Sequence, residues 1–131
     1  LALLPGKSAA VATVTAASGS VPFDEAKLAT LRAQNKPVLL YFTADWCLTC
    51  KVNEKTAIER AETQAAFTAA GVTTMIGDWT DGDAAIGKFL EAHGRSGVPL
   101  YLWYAPGREP KELPQILTPG LLVGLASAPN T

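Results

Sequence analysis

Four short stretches of the chain have the hydrophobic pattern of β-strands. Residues 38–42 form a continuous apolar run, which is too short for a helix and typical of a strand covered on both faces of a sheet. Residues 72–78 alternate loosely between apolar and polar side chains, and residues 99–104 are mostly apolar and aromatic. The turn sequence at 105–108 predicts that residues 111–115 return antiparallel to the preceding strand.

Helices are predicted between these strands from the spacing of apolar residues and from capping signals. Gly71 stands where left-handed helix caps occur, and Thr118-Pro119 supplies an N-cap followed by proline at the first helical position. The two segments in the middle of the chain fit either one kinked helix or two short ones. The predicted helical segments are residues 23–32, 47–58, 61–70, 84–93 and 120–127.

The order of these elements, a βαβ unit followed by a ββα unit, predicts an α/β fold. We expect a mixed central sheet of about four strands flanked by helices on both faces. The chain of 131 residues is the size of one domain. Residues 1–22 contain one charged side chain and few large ones, so we predict a weakly structured linker or tether there and a domain over 23–131. Because the chain begins at Leu1 rather than at methionine, we expect a fragment or a mature protein.

The charge balance argues against several classes of partner. Eleven basic and twelve acidic residues give a net charge of −1, and no run of like charges could follow a nucleic-acid backbone or an anionic bilayer. No window approaches the roughly 18–20 apolar residues that a spanning helix needs. We therefore expect a monomer that binds no nucleic acid and does not itself insert into a membrane.

Cys47 and Cys50 are the only cysteines, and they follow a predicted strand directly. A structural zinc site would need four ligands, and the chain offers only His93 as a further imidazole or thiol ligand. A structural disulfide across three positions would restrict the unfolded chain little. The placement favours redox chemistry, because the first turn of a helix stabilises a thiolate. Cys47 would then be the nucleophile and Cys50 the resolving thiol.

The sequence around the cysteines resembles that of the thioredoxin family over about residues 23–128. More narrowly, it resembles the C-terminal domain of the thiol:disulfide interchange protein DsbD and its ScsB relatives. The matching words are Ala44-Asp45-Trp46-Cys47-x-x-Cys50-Lys51, Glu54, Asp78-Trp79-Thr80 and Gly94-Arg95-Ser96-Gly97-Val98-Pro99-Leu100-Tyr101.

The resemblance implies a thioredoxin-like fold and a protein-disulfide reductase in the bacterial periplasm, as a domain of an inner-membrane protein. A membrane-embedded transporter domain of the DsbD or ScsB type would donate electrons, and a periplasmic thioredoxin-like protein or domain would accept them. The only redox group would be the Cys47–Cys50 disulfide, with no metal and no other cofactor. Residues 1–22 would be the tether between domains.

The resemblance also implies roles for residues outside the cysteine pair. Pro99 should follow a cis peptide bond beside the cysteines, with the backbone of Val98 available to an extended partner chain. Trp46 should cover the disulfide or line the partner surface, and Asp45 should lie at the same edge, unless it is simply solvated. Two further expectations rest on position in the sequence alone: Trp79 could rim the site but is expected to pack, and His93, at a helix end before Gly94, should cap that helix rather than bind a ligand.

Glu54 lies one helical turn beyond Cys50, where a carboxylate could accept or return the proton of the resolving thiol. The alternative is a solvated glutamate paired with Lys51 or Lys55. The sequence departs from many thioredoxins at Tyr41, where a buried acid is common six positions before the first cysteine. A phenol with a pKa of about 10 is a poor proton carrier near neutrality.

Two other functions remain open. Leu48-Thr49 contains no histidine to stabilise a thiolate, which favours a reductant over a disulfide oxidase or isomerase that acts on client proteins. The domain could also be a redox-inert thioredoxin-like binding module whose disulfide only shapes a docking surface.

Overall fold

The computed structural model describes residues 20–127, which form a mixed sheet of five strands in the order β1-β3-β2-β4-β5. The strands are β1 (Val21–Pro22), β2 (Val38–Thr43), β3 (Thr73–Asp78), β4 (Leu100–Tyr104) and β5 (Lys111–Glu112). The helices are α1 (Glu25–Ala33), α2 (Leu48–Asn53), α3 (Ala61–Ala70), α4 (Ala84–Ala92) and α5 (Pro119–Ser127). Between residues 20 and 127, no helix is long and apolar enough to cross a membrane.

Strand β2 is the centre of the sheet. All six of its residues are buried, as the continuous apolar run predicts for a strand with both faces covered. It runs parallel to β3, with Thr43 opposite Asp78, and antiparallel to β4, with Tyr41 opposite Tyr101. Because β2 ends at Thr43, the segment that follows it emerges at one edge of the sheet, where the cysteines lie.

The two faces of the sheet pack against different helices. We call the first the apolar face, which α1 and α4 cover; its side chains include Leu40, Phe42, Met75, Leu100 and Leu102. We call the second the site face, which α2, α3 and α5 cover; its side chains include Leu39, Tyr41, Thr43, Tyr101 and Trp103. The division follows from the alternation of side chains along each strand.

The predicted α/β fold, a mixed sheet flanked by helices on both faces, is confirmed, although the sheet has five strands rather than about four. The edge strand Val21–Pro22 was not predicted; it pairs parallel with β3, and the Phe23 amide donates to the Ile76 carbonyl over 2.8 Å. The first helix begins at Glu25, after the N-cap Asp24, rather than at residue 23. Residues 1–19, most of the predicted linker, lie outside the described residues, as do residues 128–131 at the end of the predicted domain.

The segment between the cysteines and β3 folds as two helices joined by a wider turn. Helix α2 continues into a π-helical turn at Glu54–Ile58, in which the Glu59 amide donates to the Glu54 carbonyl over 2.8 Å. Helix α3 then ends at Gly71, whose φ of 73° is the left-handed conformation predicted for a helix cap. Such wide turns often occur at functional sites. Here the turn begins at the glutamate that the sequence singled out.

Candidate active site

Cys47 and Cys50 form a disulfide at the start of α2, with their Cα atoms 5.3 Å apart. Cys47 is the N-cap residue, and its Sγ accepts a hydrogen bond from the Cys50 amide over 3.2 Å. The exposed fraction is 8% for Cys47 and 0% for Cys50. Cys47 is therefore the less buried of the two cysteines, and the amide at the helix start that donates to its Sγ favours negative charge on that sulfur.

The segment before β4 lies against the cysteines. The Val98–Pro99 peptide bond is cis, as the resemblance implied. Val98 packs against the small cluster that Ala44, Cys47 and Cys50 form. The Pro99 carbonyl accepts hydrogen bonds from Arg95 Nη2 over 3.1 Å and from Gln115 Nε2 over 3.4 Å. This brings Val98 and Pro99 to the disulfide, where the sequence predicted a partner surface.

The loop after β3 holds the two residues that precede Cys47. The Asp45 amide donates to Thr80 Oγ1 over 2.9 Å, and Trp46 Nε1 donates to the Thr80 carbonyl over 3.0 Å. The Thr80 amide in turn donates to Asp78 Oδ1 over 2.9 Å. Asp78 and Thr80 are thus structural residues of the site, a role that the sequence did not assign to them.

The two tryptophans divide as expected between surface and interior. Trp46 is 60% exposed at the edge of the disulfide, and its ring centroid lies 6.1 Å from that of Trp79. Trp79 is partly buried and packs against the cluster of the apolar face. Asp45 is exposed at the same edge, 3.9 Å from Lys51 Nζ.

Glu54 is buried, with only 6% of its surface exposed, which contradicts the reading of a solvated glutamate. Thr43 Oγ1 donates to Glu54 Oε2 over 2.6 Å, and Lys51 Nζ lies 3.2 Å from Oε1. Each carboxylate oxygen therefore has one donor of its own. The Lys51 pairing was anticipated, but Thr43 was not, because it lies 11 residues away along the chain.

Two tyrosines lie beside this carboxylate on the site face. The buried Tyr41 hydroxyl has no hydrogen-bond partner within residues 20–127, and burial, followed by the charge of Glu54, raises the pKa of Tyr41. Burial also raises the pKa of Tyr101 from 10.0 to about 12, although the hydrogen bond from Asn53 lowers it. Both phenols therefore keep their protons and are neutral at ordinary pH, in agreement with the expectation that Tyr41 is a poor proton carrier.

Asn53 is a buried residue that the sequence reasoning missed. Its Nδ2 donates to the Tyr101 hydroxyl and to the Gln115 carbonyl, both over 2.8 Å. Its Oδ1 accepts from the Leu117 amide over 3.1 Å. Asn53 thereby joins α2 to β4 and to the loop that precedes α5. The sequence did offer one signal for Asn53: it is a polar residue one turn beyond Cys50, on the same inward-facing side of the helix.

Four large hydrophobic side chains are exposed in the described part of the chain: Trp46, Leu48, Val52 and Ile116. Three of them belong to the segment that contains the disulfide. The fourth follows Gln115, which contacts both α2 through Asn53 and the Pro99 carbonyl. Three of the four exposed large hydrophobic side chains between residues 20 and 127 therefore lie within five positions of a cysteine along the chain.

His93 takes the capping role that was expected of it. It is the C-cap residue of α4, and its Nδ1 lies 3.0 Å from the Phe89 carbonyl. Within residues 20–127, no group of three or more His, Cys, Asp or Glu side chains is arranged to hold a metal ion.

Comparison with known sequences gives the chain's relatives. Residues 21–106 match a family model described as thioredoxin-like. The chain is 36% identical over 83 residues to thiol:disulfide interchange protein DsbD 1 of Pseudomonas aeruginosa, a match that covers 63% of this chain and 14% of that protein. It is 33% identical over 87 residues to DsbD of Cronobacter sakazakii, covering 66% of this chain and 15% of that protein. The chain therefore spans a small part of these relatives.

Comparison with solved structures supports the fold. The C-terminal domain of Neisseria meningitidis DsbD in its reduced form aligns with a TM-score of 0.62 at 20% identity, over 82% of this chain and 98% of that chain. Thioredoxin O2 of Arabidopsis thaliana aligns with a TM-score of 0.60 at 20% identity, over 86% of this chain and 96% of that chain. With the family match and the disulfide at the start of α2, the chain belongs to the thioredoxin-like family and is a disulfide oxidoreductase domain related to DsbD.

Proposed function

We propose that this domain is a protein-disulfide reductase that relays electrons between two partners by dithiol–disulfide exchange. Its electron donor is a membrane-embedded transporter domain of the DsbD or ScsB type, and its acceptor is a periplasmic thioredoxin-like protein or domain. The observation that carries the proposal is the disulfide at the start of α2, in which Cys47 keeps 8% of its surface exposed and Cys50 is fully buried. The relationship to DsbD supports the choice of partners and the periplasmic location.

The exchange proceeds in two steps once the domain has been reduced. The Cys47 thiolate attacks one sulfur of the acceptor's disulfide, and the acceptor's other sulfur leaves as a thiolate. Cys50 then loses its proton and attacks Cys47 Sγ, which releases the acceptor's first sulfur and restores the Cys47–Cys50 disulfide. Two electrons pass to the acceptor, and the donor domain's dithiol reduces the disulfide again. We assign Glu54 as the acceptor of the Cys50 proton.

The partner surface consists of the residues around Cys47. An extended segment of the partner would pair with the backbone of Val98 beside Pro99, while Trp46 and Asp45 contact it from the opposite side of the disulfide. The exposed side chains of Leu48 and Ile116 extend this surface with apolar area. Such a surface suits a partner whose cysteine lies in a partly apolar, extended segment.

Trapping of the mixed disulfide tests the proposal. Cys50→Ala should accumulate a covalent adduct through Cys47 when mixed with an oxidised thioredoxin-like domain, because the resolving thiol is absent. Cys47→Ala should accumulate little adduct, since its remaining thiol is buried. Non-reducing electrophoresis and mass spectrometry measure both. If neither variant forms an adduct, the relay is refuted.

The small exposure of Cys47, 8%, favours a second candidate, a redox-inert binding module with a structural disulfide. That candidate predicts no exchange with glutathione. A third candidate, a disulfide oxidase or isomerase, predicts a reduction potential of about −120 mV, the strongly oxidising end of the family scale. Equilibration of the domain with glutathione buffers distinguishes all three.

A further inference from the structure

We infer that Thr43 is a positioning residue that, together with Lys51, orients the Glu54 carboxylate to receive the Cys50 proton. The inference deepens the proposed function and rests on it. It adds a residue that lies on a different element from the cysteines and that contacts neither of them in the described hydrogen bonds.

Thr43 is well suited to fix the direction of a hydrogen bond. It is buried at the end of β2, where it pairs with Asp78 of β3, and its carbonyl accepts from the Trp79 amide over 2.8 Å. Its backbone is therefore held by the sheet. A β-branched side chain has few χ1 choices, so the hydroxyl keeps its direction toward Glu54 Oε2, 2.6 Å away. A contact of this length is typical of a hydroxyl that donates to an ionised carboxylate.

Lys51 holds the second oxygen from the surface side. Its Nζ lies 3.2 Å from Glu54 Oε1 and 3.9 Å from the exposed Asp45 carboxylate. Its side chain is 41% exposed, whereas that of Glu54 is 8% exposed. The Thr43 hydroxyl therefore holds the Glu54 carboxylate from the core side, and the Lys51 ammonium holds it from the solvent side. Together they fix the plane of the carboxylate.

The two tyrosines near Glu54 do not compete with its carboxylate for the Cys50 proton. The Tyr41 phenol faces it but keeps its own proton, because burial raises its pKa. Tyr101 is neutral for the same reason. Glu59 is the other acid whose charge acts on this region, and its pKa is raised by partial burial and by Glu54. Lys51 is the cation in direct contact with Glu54.

The step that Thr43 supports is the resolution of the mixed disulfide. The Cys50 S–H proton passes to Glu54, and the Cys50 thiolate attacks Cys47 Sγ. The Cys47–Cys50 bond forms while the bond from Cys47 to the partner sulfur breaks. The electron pair leaves on that sulfur, which takes a proton from water, and Glu54 returns its proton to the solvent.

Replacement of the hydroxyl without a change of shape tests the inference. The reduced domain is mixed with oxidised glutathione, and mass spectrometry of acid-quenched samples follows formation and resolution of the Cys47–glutathione disulfide from pH 5 to pH 9. Thr43→Val should slow resolution by about tenfold near neutrality, as expected for loss of a hydrogen bond to a charged group. Its rate should recover as the pH rises, because hydroxide replaces the misplaced base. Formation of the adduct by Cys47 should be unaffected.

Matched variants separate positioning from structure. Thr43→Ser restores the hydroxyl and should restore most of the rate. Thr63→Val removes another buried hydroxyl, which donates to the Ala57 carbonyl over 2.7 Å, and should lower stability without slowing resolution. Lys51→Met is a substitution at the surface and should slow resolution less than Thr43→Val does. The double variant Thr43→Val/Glu54→Gln should be no slower than Glu54→Gln alone.

The possible failures are distinguishable. If the wild type forms and resolves the adduct and Thr43→Val does so at the same rate, Thr43 has no positioning role while the proposed function stands. If Thr43→Ser is as slow as Thr43→Val, the hydroxyl is not the cause and the inference is wrong. If Thr43→Val does not fold, Thr43→Ala, which also lacks the hydroxyl, and Lys51→Met decide, because resolution with the wild-type rate and pH profile in both would contradict the inference. If the wild type forms no adduct, the proposed function and this inference fall together.

Discussion

The two faces of the central sheet are built from the same strands but differ in polarity. On the apolar face, β2 contributes Leu40 and Phe42, and Phe42 packs against Phe23 and Phe89 at ring-centroid distances of 5.0 and 5.2 Å. On the site face, the same strand contributes Tyr41 and Thr43: the Thr43 hydroxyl donates to Glu54, and the charge of Glu54 acts on the buried Tyr41 phenol. The side chains of β2 on one face therefore stabilise the core, and those on the other face contribute polar groups to the site.

Burial of polar groups on the site face lowers the free energy of unfolding, and the β2 side chains on the apolar face carry no such cost. A buried hydroxyl without a partner costs about 1–3 kcal/mol, and Tyr41 carries one. The hydrogen bonds of Asn53, Glu54 and Thr43 offset the burial of their own polar atoms. The comparison predicts that substitutions on the two faces change different observables.

The largest effect is expected from Phe42→Ala on the apolar face. Removal of the ring leaves a cavity among aromatic side chains, and the free energy of unfolding should fall by about 3–5 kcal/mol. Urea denaturation measures the loss. In the fraction that remains folded, the rate of mixed-disulfide resolution should equal that of the wild type. A slower resolution would mean that the two faces are not separable.

A smaller effect is expected from alkaline pH, and it reports on the site face. In the unfolded chain Tyr101 loses its proton near pH 10, whereas in the folded protein its pKa is about 12. Between these values the folded state binds more protons than the unfolded state. The free energy of unfolding should therefore be unaffected by this group below pH 10 and should fall by about 2 kcal/mol as the pH approaches 12.

Urea titrations at pH 9, 10 and 11 measure this dependence, and Tyr101→Phe is the control. The variant loses the Asn53 hydrogen bond at every pH, but its stability should fall less steeply above pH 10. Equal slopes in the variant and the wild type would show that Tyr101 does not hold its proton more tightly in the folded state.

The smallest effect is expected from Tyr41→Phe. Since the Tyr41 hydroxyl has no hydrogen-bond partner among residues 20–127, its removal relieves that cost and should raise the free energy of unfolding by about 1 kcal/mol, the low end of the range for such a group. The resolution rate should not change, in contrast to Thr43→Val two residues further along the same strand. A loss of stability above about 1 kcal/mol would mean that the Tyr41 hydroxyl makes a hydrogen bond after all.

The sequence was sufficient for features whose signals are local. The apolar run before the cysteines predicted β2, and Gly71 predicted the end of α3. The strand Val21–Pro22 was missed because two residues, one of them proline, carry no strand pattern of their own; the sheet edge makes them a strand.

The same distinction between local signals and long-range pairing applies to the residues of the site. The spacing from Cys50 placed Glu54 on the correct helix, but its partner Thr43 lies on a strand, and the partners of Asn53 are 48 to 64 residues away. A single sequence holds no signal for such pairs before the chain has folded. The packing of Trp79 could be anticipated, whereas the support that Thr80 gives to Asp45 and Trp46 could not.

The hydrogen bonds of Asn53 and Gln115 have a consequence for association. Together they connect α2, the Pro99 carbonyl and the loop that carries Ile116. In the proposed exchange, these three segments are therefore already held together before a partner arrives, so little conformational entropy should be lost when one docks. Affinity then depends on how well the partner's shape and apolar area match a rigid surface, and a protein whose own cysteine segment is already ordered gains most from that rigidity.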